Sequence, residues 1–415
     1  MRPPGVLCVV GTRPEAIKMA PIVHALRRRR DLSVRLLLTG QHRSLLDQAL
    51  AVFGLRGDFD LDVMRPNQSL SVLSARILEG LDPVLERESP AMVLAQGDTT
   101  TVLAAAIGCF HRHIPFGHVE AGLRTGDLGH PFPEEFNRIV AARAATLNFA
   151  PTEGAQRALL REGILRDRIH VTGNTVIDAL LDVARRAVGT APQLPKDCRL
   201  ILMTMHRRES FGPPAAKVLA AVGRLCATFP DLHVLYPVHP NPNLRDIAHA
   251  TLGNHPQVTL TDPLSYPELV AAMLRSTLVL TDSGGLQEEA PALGKPVLVL
   301  REVTERPEAV DLGVTKLVGT DPDRIVAEAS HLLTVPAAYA AMAKGVSPYG
   351  DGHAAERIAE LVTAAILGVP RAASRRLLHR REGFIPPHGM AVAEPNPVAV
   401  LPPSPMPLSD RIAVP

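Results

Sequence analysis

The stretch LVLTDSGGLQEEAPALGKPVLVL, residues 278–300, leaves an apolar β-rich segment through two glycines, enters a helical pattern and returns to a second apolar segment. Parallel neighbours in a sheet need a crossover between them, and a strand, a glycine turn, a helix and a strand in that order supply one. The apolar runs are nearly continuous rather than alternating, which predicts a parallel sheet covered on both faces.

Working outward, the same rhythm recurs. VLCVV (6–10), SVRLLLT (33–39), AMVLAQ (91–96), IPFGHVE (114–120) and ATLNFA (145–150) are each followed by a helix candidate. After the helix NTVIDALLDVARRAV (174–188) comes a polar, proline-marked joint, GTAPQLPKDC (189–198). The alternation then resumes with RLILMT, LHVLYPV, QVTLT, TLVLTD and KPVLVL. The pattern predicts an α/β fold of two Rossmann-like, doubly wound domains, 1–188 and 196–350, with a cleft between them. Residues 370–415 open with a basic run, RAASRRLLHRR, and carry ten prolines without helical or strand periodicity, which reads as a disordered tail.

A chain of 415 residues is long enough for two domains and a large core. Its 44 basic and 42 acidic residues nearly cancel, so no global field recruits nucleic acid or a membrane surface. Cys8, Cys109, Cys198 and Cys226 are far apart and form no C-x-x-C pair, as expected of reduced thiols in a cytoplasmic protein. The N-terminal apolar run is too short for a signal peptide, and no run of about 18 apolar residues follows. A soluble cytoplasmic protein is expected.

In open α/β sheets ligands bind beyond the carboxyl ends of the strands, and the unusual motifs fall there. In GTRPEAIKM (11–19), Thr12 and Glu15 suit a capping box and Pro14 a first turn. Arg13 and Lys18 are left over, and cations at a helix N-terminus are unfavourable unless an anion binds, so an anion site is predicted. A lone glycine is not G-x-G-x-x-G, so a dinucleotide redox cofactor is unsupported. At 283–285, Ser283, Gly284 and Gly285 let backbone N–H groups approach a diphosphate, while Glu288 and Glu289 could accept sugar or ribose hydroxyls.

QGDTTT (96–101) puts Asp98 at a strand end, where a helix cap is the commoner use. HVEAGLRTGDLGHPFPEEFNR (118–138) spreads Glu120, Asp127, Glu134 and Glu135 with Arg124 and Arg138 over a glycine-rich loop. Glu120 ends an apolar strand, a place where a carboxylate is unfavourable unless used. His118 and Glu120 fall on one strand face, but no P-C-x-x-C follows, so a zinc deaminase is not expected and no metal is assigned. MTMHRRESFG (203–212) and YPVHPNPN (236–243) add His206, Arg207, Arg208 and His239. Cations around a glycine helix start, with carboxylates opposite, imply a nucleotide-sugar enzyme.

With these loops assembled, the chain resembles the non-hydrolysing UDP-N-acetylglucosamine 2-epimerases over about residues 5–367. GTRPEAIKMAP, QHRSLLDQ, QGDTTT, GHVEAGLRTGD, PEEFNR, TGNTVIDAL, HRRESFG, YPVHPNPN, TDSGGLQEEAPALGKPVLVLRE, TERPEA and SPYGDG follow in family order. The resemblance implies a fold like that of the two-domain GT-B glycosyltransferases, with a last helix at 353–367 returning to the first domain. It implies a cytoplasmic homodimer that interconverts UDP-GlcNAc and UDP-ManNAc without an added cofactor.

Carried over by motif, Arg13, Lys18, His206, Ser283, Gly284, Gly285, Glu289 and Arg306 are implied at the nucleotide and its diphosphate. Asp98, Glu120 and Glu134, with His206 counted beside them, are implied in catalysis, in an order of acid and base roles left open. A second, activating site for UDP-GlcNAc is implied at Gln41, His42, Arg207 and His239. The chain departs from the pattern at Leu269, where several relatives place an aromatic against the uracil, and at Ser44 and Asn67, where longer polar groups are frequent. Alternatives left open are an epimerase for a modified UDP-GlcNAc derivative, a hydrolysing epimerase, a GT-B-type glycosyltransferase and a catalytically silent nucleotide-sugar sensor.

Overall fold

The structure is a computed structural model that describes residues 3–40, 43–186, 193–195, 197–207 and 210–368. The proline-rich segment 370–415 and the residues Gln41, His42 and Arg208 lie outside the described residues.

The first half interleaves β1 (Gly5–Val10), α1 (Arg13–Arg27), β2 (Ser33–Leu38), α2 (Arg43–Val52), β3 (Phe59–Asp60), α3 (Leu70–Glu88), β4 (Met92–Gln96), α4 (Thr100–His111), β5 (Phe116–Val119), α5 (Glu134–Ala144), β6 (Leu147–Ala150), α6 (Glu153–Arg161), β7 (Ile169–Val171) and α7 (Thr175–Arg186). The second half interleaves β8 (Arg199–Thr204), α8 (Pro213–Thr228), β9 (Leu232–Pro237), α9 (Pro242–Leu252), β10 (Val258–Thr261), α10 (Tyr266–Arg275), β11 (Leu278–Thr281), α11 (Gly284–Ala292), β12 (Val297–Val299), α12 (Pro307–Asp311), β13 (Thr315–Leu317), α13 (Pro322–Thr334), α14 (Pro336–Met342) and α15 (Ala354–Leu367).

The strands form two parallel sheets, β3-β2-β1-β4-β5-β6-β7 and β10-β9-β8-β11-β12-β13. Both are doubly wound, as the alternation predicts. Their central strands are mostly apolar and buried on both faces, as in β1, where Val6 to Val10 are closed to solvent. Ten strands coincide with apolar runs visible in the sequence. The three that do not, β3, β7 and β13, are two or three residues long and lie at sheet edges, where no continuous apolar run is needed and a charge is an advantage.

In each sheet the strand order reverses at one pair, β1 with β4 (Val6 opposite Met92) and β8 with β11 (Leu278 opposite Ile201). Crossovers leave these pairs toward opposite sides, which opens a crevice at their carboxyl ends. The loops after β1, β4, β8 and β11 are those that carry Arg13, Asp98, His206 and Ser283.

Helix α15 packs on α1 and α7 rather than on the second sheet. Its first N–H groups, Ala354 N and Ala355 N, donate to the Asp178 carboxylate of α7 at 3.2 and 2.8 Å, so a side chain from another helix satisfies the free end. Among the described residues no single helix is long and apolar enough to cross a membrane.

Candidate active site

The turn after β1 is already occupied by an anion of the chain's own. Glu15 Oε2 accepts from Gly11 N at 2.5 Å and Thr12 N at 3.0 Å, and Thr99 Oγ1 donates to Glu15 Oε1 at 2.5 Å. Glu15 thus caps the helix end, as the predicted Thr12/Glu15 capping box requires. Gly11 has a packing reason: a Cβ there would overlap the hydroxyls of Thr101 and Thr39, which bond each other at 2.9 Å. Burial pushes the Glu15 carboxyl up to about 7, against the hydrogen bonds from Thr99, Gly11 and Thr12.

Lys18 and Arg13 face elsewhere. Lys18 Nζ lies 2.8 and 2.6 Å from the two oxygens of Glu120, while Arg13 Nη2 reaches 3.5 Å across to the carbonyl of Leu264, between β10 and α10. Burial alone would lower the Lys18 ammonium, but the Glu120 and Glu288 carboxylates outweigh it and hold the amine charged.

Glu120 is the residue after β5 rather than part of it, with φ at 63°. Left-handed backbone is unfavourable for a side chain with a Cβ by about 1 kcal/mol and persists only where the surroundings fix it. The turn takes Glu120 out of the strand alternation, so the expected shared face with His118 does not exist. His118 is buried, its Nε2 bonded to the carbonyl of Gly97 at 2.7 Å, and burial lowers its pKa to about 4, leaving a neutral imidazole. Gln96, at the end of β4, donates from Nε2 to Glu120 Oε2 at 2.5 Å. A carboxylate only accepts, which fixes the orientation of the Gln96 amide.

Asp98 is bonded by Arg138 Nη2 at 2.6 Å, and its carbonyl accepts from Asn137 Nδ2 at 2.8 Å. Burial raises its pKa, opposed by Arg138, while Glu120 and Glu134 add negative charge nearby. The neighbouring glutamates of PEE divide in function. Glu135 is buried and accepts from the N–H groups of Thr125 and Gly126 at 3.1 and 3.0 Å, with Arg138 Nη1 at 3.4 Å, so it shapes the loop. Glu134 is left half-exposed on the crevice side of the same turn, in the field of Asp98.

From the second half, Asp282 organises the loop after β8. It is fully buried and accepts from His206 N, Arg207 N and Ser210 Oγ, with His206 Nδ1 3.0 Å from Oδ1. Burial alone would raise its pKa, but His206 and the N–H donors outweigh that and lower it. The anionic Asp282 makes His206 Nδ1 the donor and leaves Nε2 for a ligand.

Gly284 and Gly285 open α11, and a Cβ on Gly284 would stand 3.0 Å from the Arg306 guanidinium carbon. Arg306 thus packs against the first residue of α11, beside a helix N-terminus, where an anion is favoured. Its Nε donates to Glu288 Oε1 at 2.8 Å, and it lies within the field of Glu120 as well as Glu288. Glu289 is buried beneath Tyr266, whose hydroxyl donates to it at 2.7 Å, and burial lifts its pKa to about 7.

Lys18, Glu120, Asp98, Glu134 and Arg306 thereby share one electrostatic neighbourhood, and His206 and Ser283 flank Asp282 on adjoining strand ends. Of the implied activating group, Arg207 and His239 are among the described residues: Arg207 faces Glu305 at 3.8 Å, and His239 lies tilted beside Phe211 and accepts from Asn241 N. Leu269 packs against the core. Gln96 and Asn174 carry no sequence signal, because an amide at a strand or helix end reads as ordinary. Among the described residues no cluster of three or more His, Cys, Asp or Glu side chains has a metal-binding arrangement.

A profile of the UDP-N-acetylglucosamine 2-epimerase family matches residues 24–363. The chain is 49% identical over 365 residues to the UDP-N-acetylglucosamine 2-epimerase of Escherichia coli (strain K12), covering 86% of this chain and 97% of that protein. It is similar to the crystal structure of UDP-GlcNAc 2-epimerase from Neisseria meningitidis bound to UDP-GlcNAc, with 42% identity, a TM-score of 0.79 and coverage of 86% and 99%. A Methanocaldococcus jannaschii UDP-GlcNAc 2-epimerase in complex with UDP-GlcNAc and UDP is similar at 30% identity, with a TM-score of 0.71 and the same coverage. The glycotransferase of kitacinnamycin, 13% identical with a TM-score of 0.63, shares the fold alone, that of the GT-B type. Two parallel Rossmann-like sheets, with the motif-bearing loops at their switch points and these relatives over most of their length, mean that the chain belongs to the UDP-N-acetylglucosamine 2-epimerase family.

Proposed function

We propose that the protein interconverts UDP-GlcNAc and UDP-ManNAc by reversible elimination and re-addition of UDP. The hydrogen on C2 of the sugar is not next to a carbonyl, so direct removal and return would be very slow. In the elimination a carboxylate takes the C2 proton, that C–H electron pair becomes the C1=C2 bond of 2-acetamidoglucal, and the C1–O bond breaks to release UDP. Re-addition forms the C1–O bond again and returns a proton to C2 from the other face.

The reaction needs a fixed base beside C2 and positive charge for the departing diphosphate. The observation that supports this most is the position of Arg306, its guanidinium against the first residue of α11 and in the field of Glu120. Asp98, Glu120 and Glu134 would share proton transfer at the sugar, and Arg13, His206, Ser283, Gly284, Gly285 and Glu289 would hold the nucleotide. Lys18, here paired with Glu120, stands where it can turn to the diphosphate as the C1–O bond breaks. The working state in this reading is a cytoplasmic homodimer, with 1–188 and 353–367 as one domain and 196–350 as the other.

The test is incubation of the purified chain with UDP-GlcNAc and chromatographic separation of the nucleotide sugars. A constant equilibrium ratio of UDP-GlcNAc to UDP-ManNAc, reached from either side, is expected. Stoichiometric free ManNAc and UDP, or no conversion, contradicts the proposal.

A further inference from the structure

Glu288 adjoins the residue implied at the nucleotide, and its pattern suggested a hydroxyl acceptor. Both of its oxygens are taken within the protein. Oε1 accepts from Arg306 Nε at 2.8 Å and Oε2 from Asn174 Nδ2 at 3.0 Å, with Glu288 and Asn174 both buried.

Asn174 is itself fixed. Its Oδ1 accepts from Val176 N at 3.1 Å at the head of α7, and its own N donates to the carbonyl of Tyr349. With Oδ1 committed to the helix, only Nδ2 can face Glu288, so the amide has one orientation. The backbone of Arg306 is placed from the same helix as its side chain. Arg306 N donates to Thr304 Oγ1 at 3.1 Å, and Thr304 Oγ1 donates to Gln287 Oε1 at 2.6 Å.

We infer that Glu288 is a positioning residue for Arg306, aimed by Asn174, so that the guanidinium, whose Nη1 also lies 3.7 Å from Glu305 Oε2, is held ready for a diphosphate at the start of α11. This rests on the reading that Arg306 binds the diphosphate. Asn174 stands on the element that follows the first sheet, whereas Arg306 stands between β12 and α12 of the second. The cation that would meet the diphosphate is therefore braced by a residue of the first half, at the head of α7, which packs on α11.

The test is a double-mutant cycle on binding of UDP alone to the full chain, measured by calorimetry. Glu288→Asp keeps the charge but withdraws the carboxylate, so altered long-range electrostatics do not mask lost orientation. In the wild-type background it should weaken UDP binding ~10-fold, and in an Arg306→Ala background by less than about twofold. Asn174→Ala should follow the same pattern with a smaller effect and serves where the aspartate variant does not fold.

Equal weakening in both backgrounds, or none in the wild type, overturns the inference. Wild type that binds UDP yet does not interconvert the sugars contradicts the proposed activity and leaves the cycle readable, whereas wild type that binds no UDP overturns both.

Discussion

Lys18 Nζ sits 2.6 and 2.8 Å from the two oxygens of Glu120, and Gln96 Nε2 sits 2.5 Å from one of them. A carboxylate on left-handed backbone, hydrogen-bonded by an ammonium and an amide, is fixed in orientation, which suits a base. Replacing Lys18 with Met should lower kcat by ~10²- to 10³-fold and weaken UDP binding far less. A large loss of UDP affinity at nearly unchanged kcat would instead make Lys18 a ground-state diphosphate ligand.

The Asp98–Arg138 pair gives a pH signature. Burial raises the Asp98 pKa and Arg138 opposes it. In Arg138→Met the carboxyl should rise further. The limb of the kcat/KM profile that reports Asp98 then moves to higher pH, the acidic limb if Asp98 is a base and the alkaline limb if it is an acid. A lower but unshifted profile would show that Arg138 does not act through Asp98.

Glu15 predicts a stability change with a definite sign. Its pKa is near 4.5 unfolded and about 7 folded, so between those values the folded chain holds a proton that the unfolded chain has released. Stability from this group is highest below pH 4.5 and falls as pH rises through 7. Glu15→Gln mimics the protonated acid, donating to Thr99 Oγ1 while accepting from Gly11 and Thr12. Denaturant unfolding should show the variant gaining on wild type by on the order of 3 kcal/mol between pH 4.5 and 8. Parallel curves would mean Glu15 ionises normally. Glu289 and Asp178, raised by burial to about 7 and about 6, add the same slope to both proteins and cancel in the difference.

Gly284→Ala separates ligand geometry from folding. The new Cβ would stand 3.0 Å from the Arg306 guanidinium carbon and displace it. The backbone there is ordinary for an alanine, so stability should hold or rise by up to ~1 kcal/mol. UDP affinity should fall ~10-fold at unchanged or higher Tm. Retained affinity would mean that Arg306 can leave α11 without consequence.

The doubly wound architecture was legible because buried parallel strands require apolar runs, and β1 and β8 meet that requirement in plain view. Edge strands such as β7, carrying His170, are relieved of it and were invisible. Site residues after strand ends were legible by type, but their partners were not. GTRPEAIKM announces a helix start and its Glu15 capping box, yet only the fold reveals that Thr99 also binds Glu15 and that Lys18 turns to Glu120. PEE reads as two equal carboxylates until the N–H groups of Thr125 and Gly126 claim Glu135.

The measurement that tests the central claim most directly is proton NMR of the purified protein with UDP-GlcNAc in D2O, following the anomeric and C2 signals with time. The account predicts that UDP-ManNAc appears and that deuterium enters C2 of both sugars, because each passage through the glycal exchanges that proton with solvent. UDP-ManNAc that retains hydrogen at C2, or an unchanged spectrum from protein that still binds UDP, would contradict it.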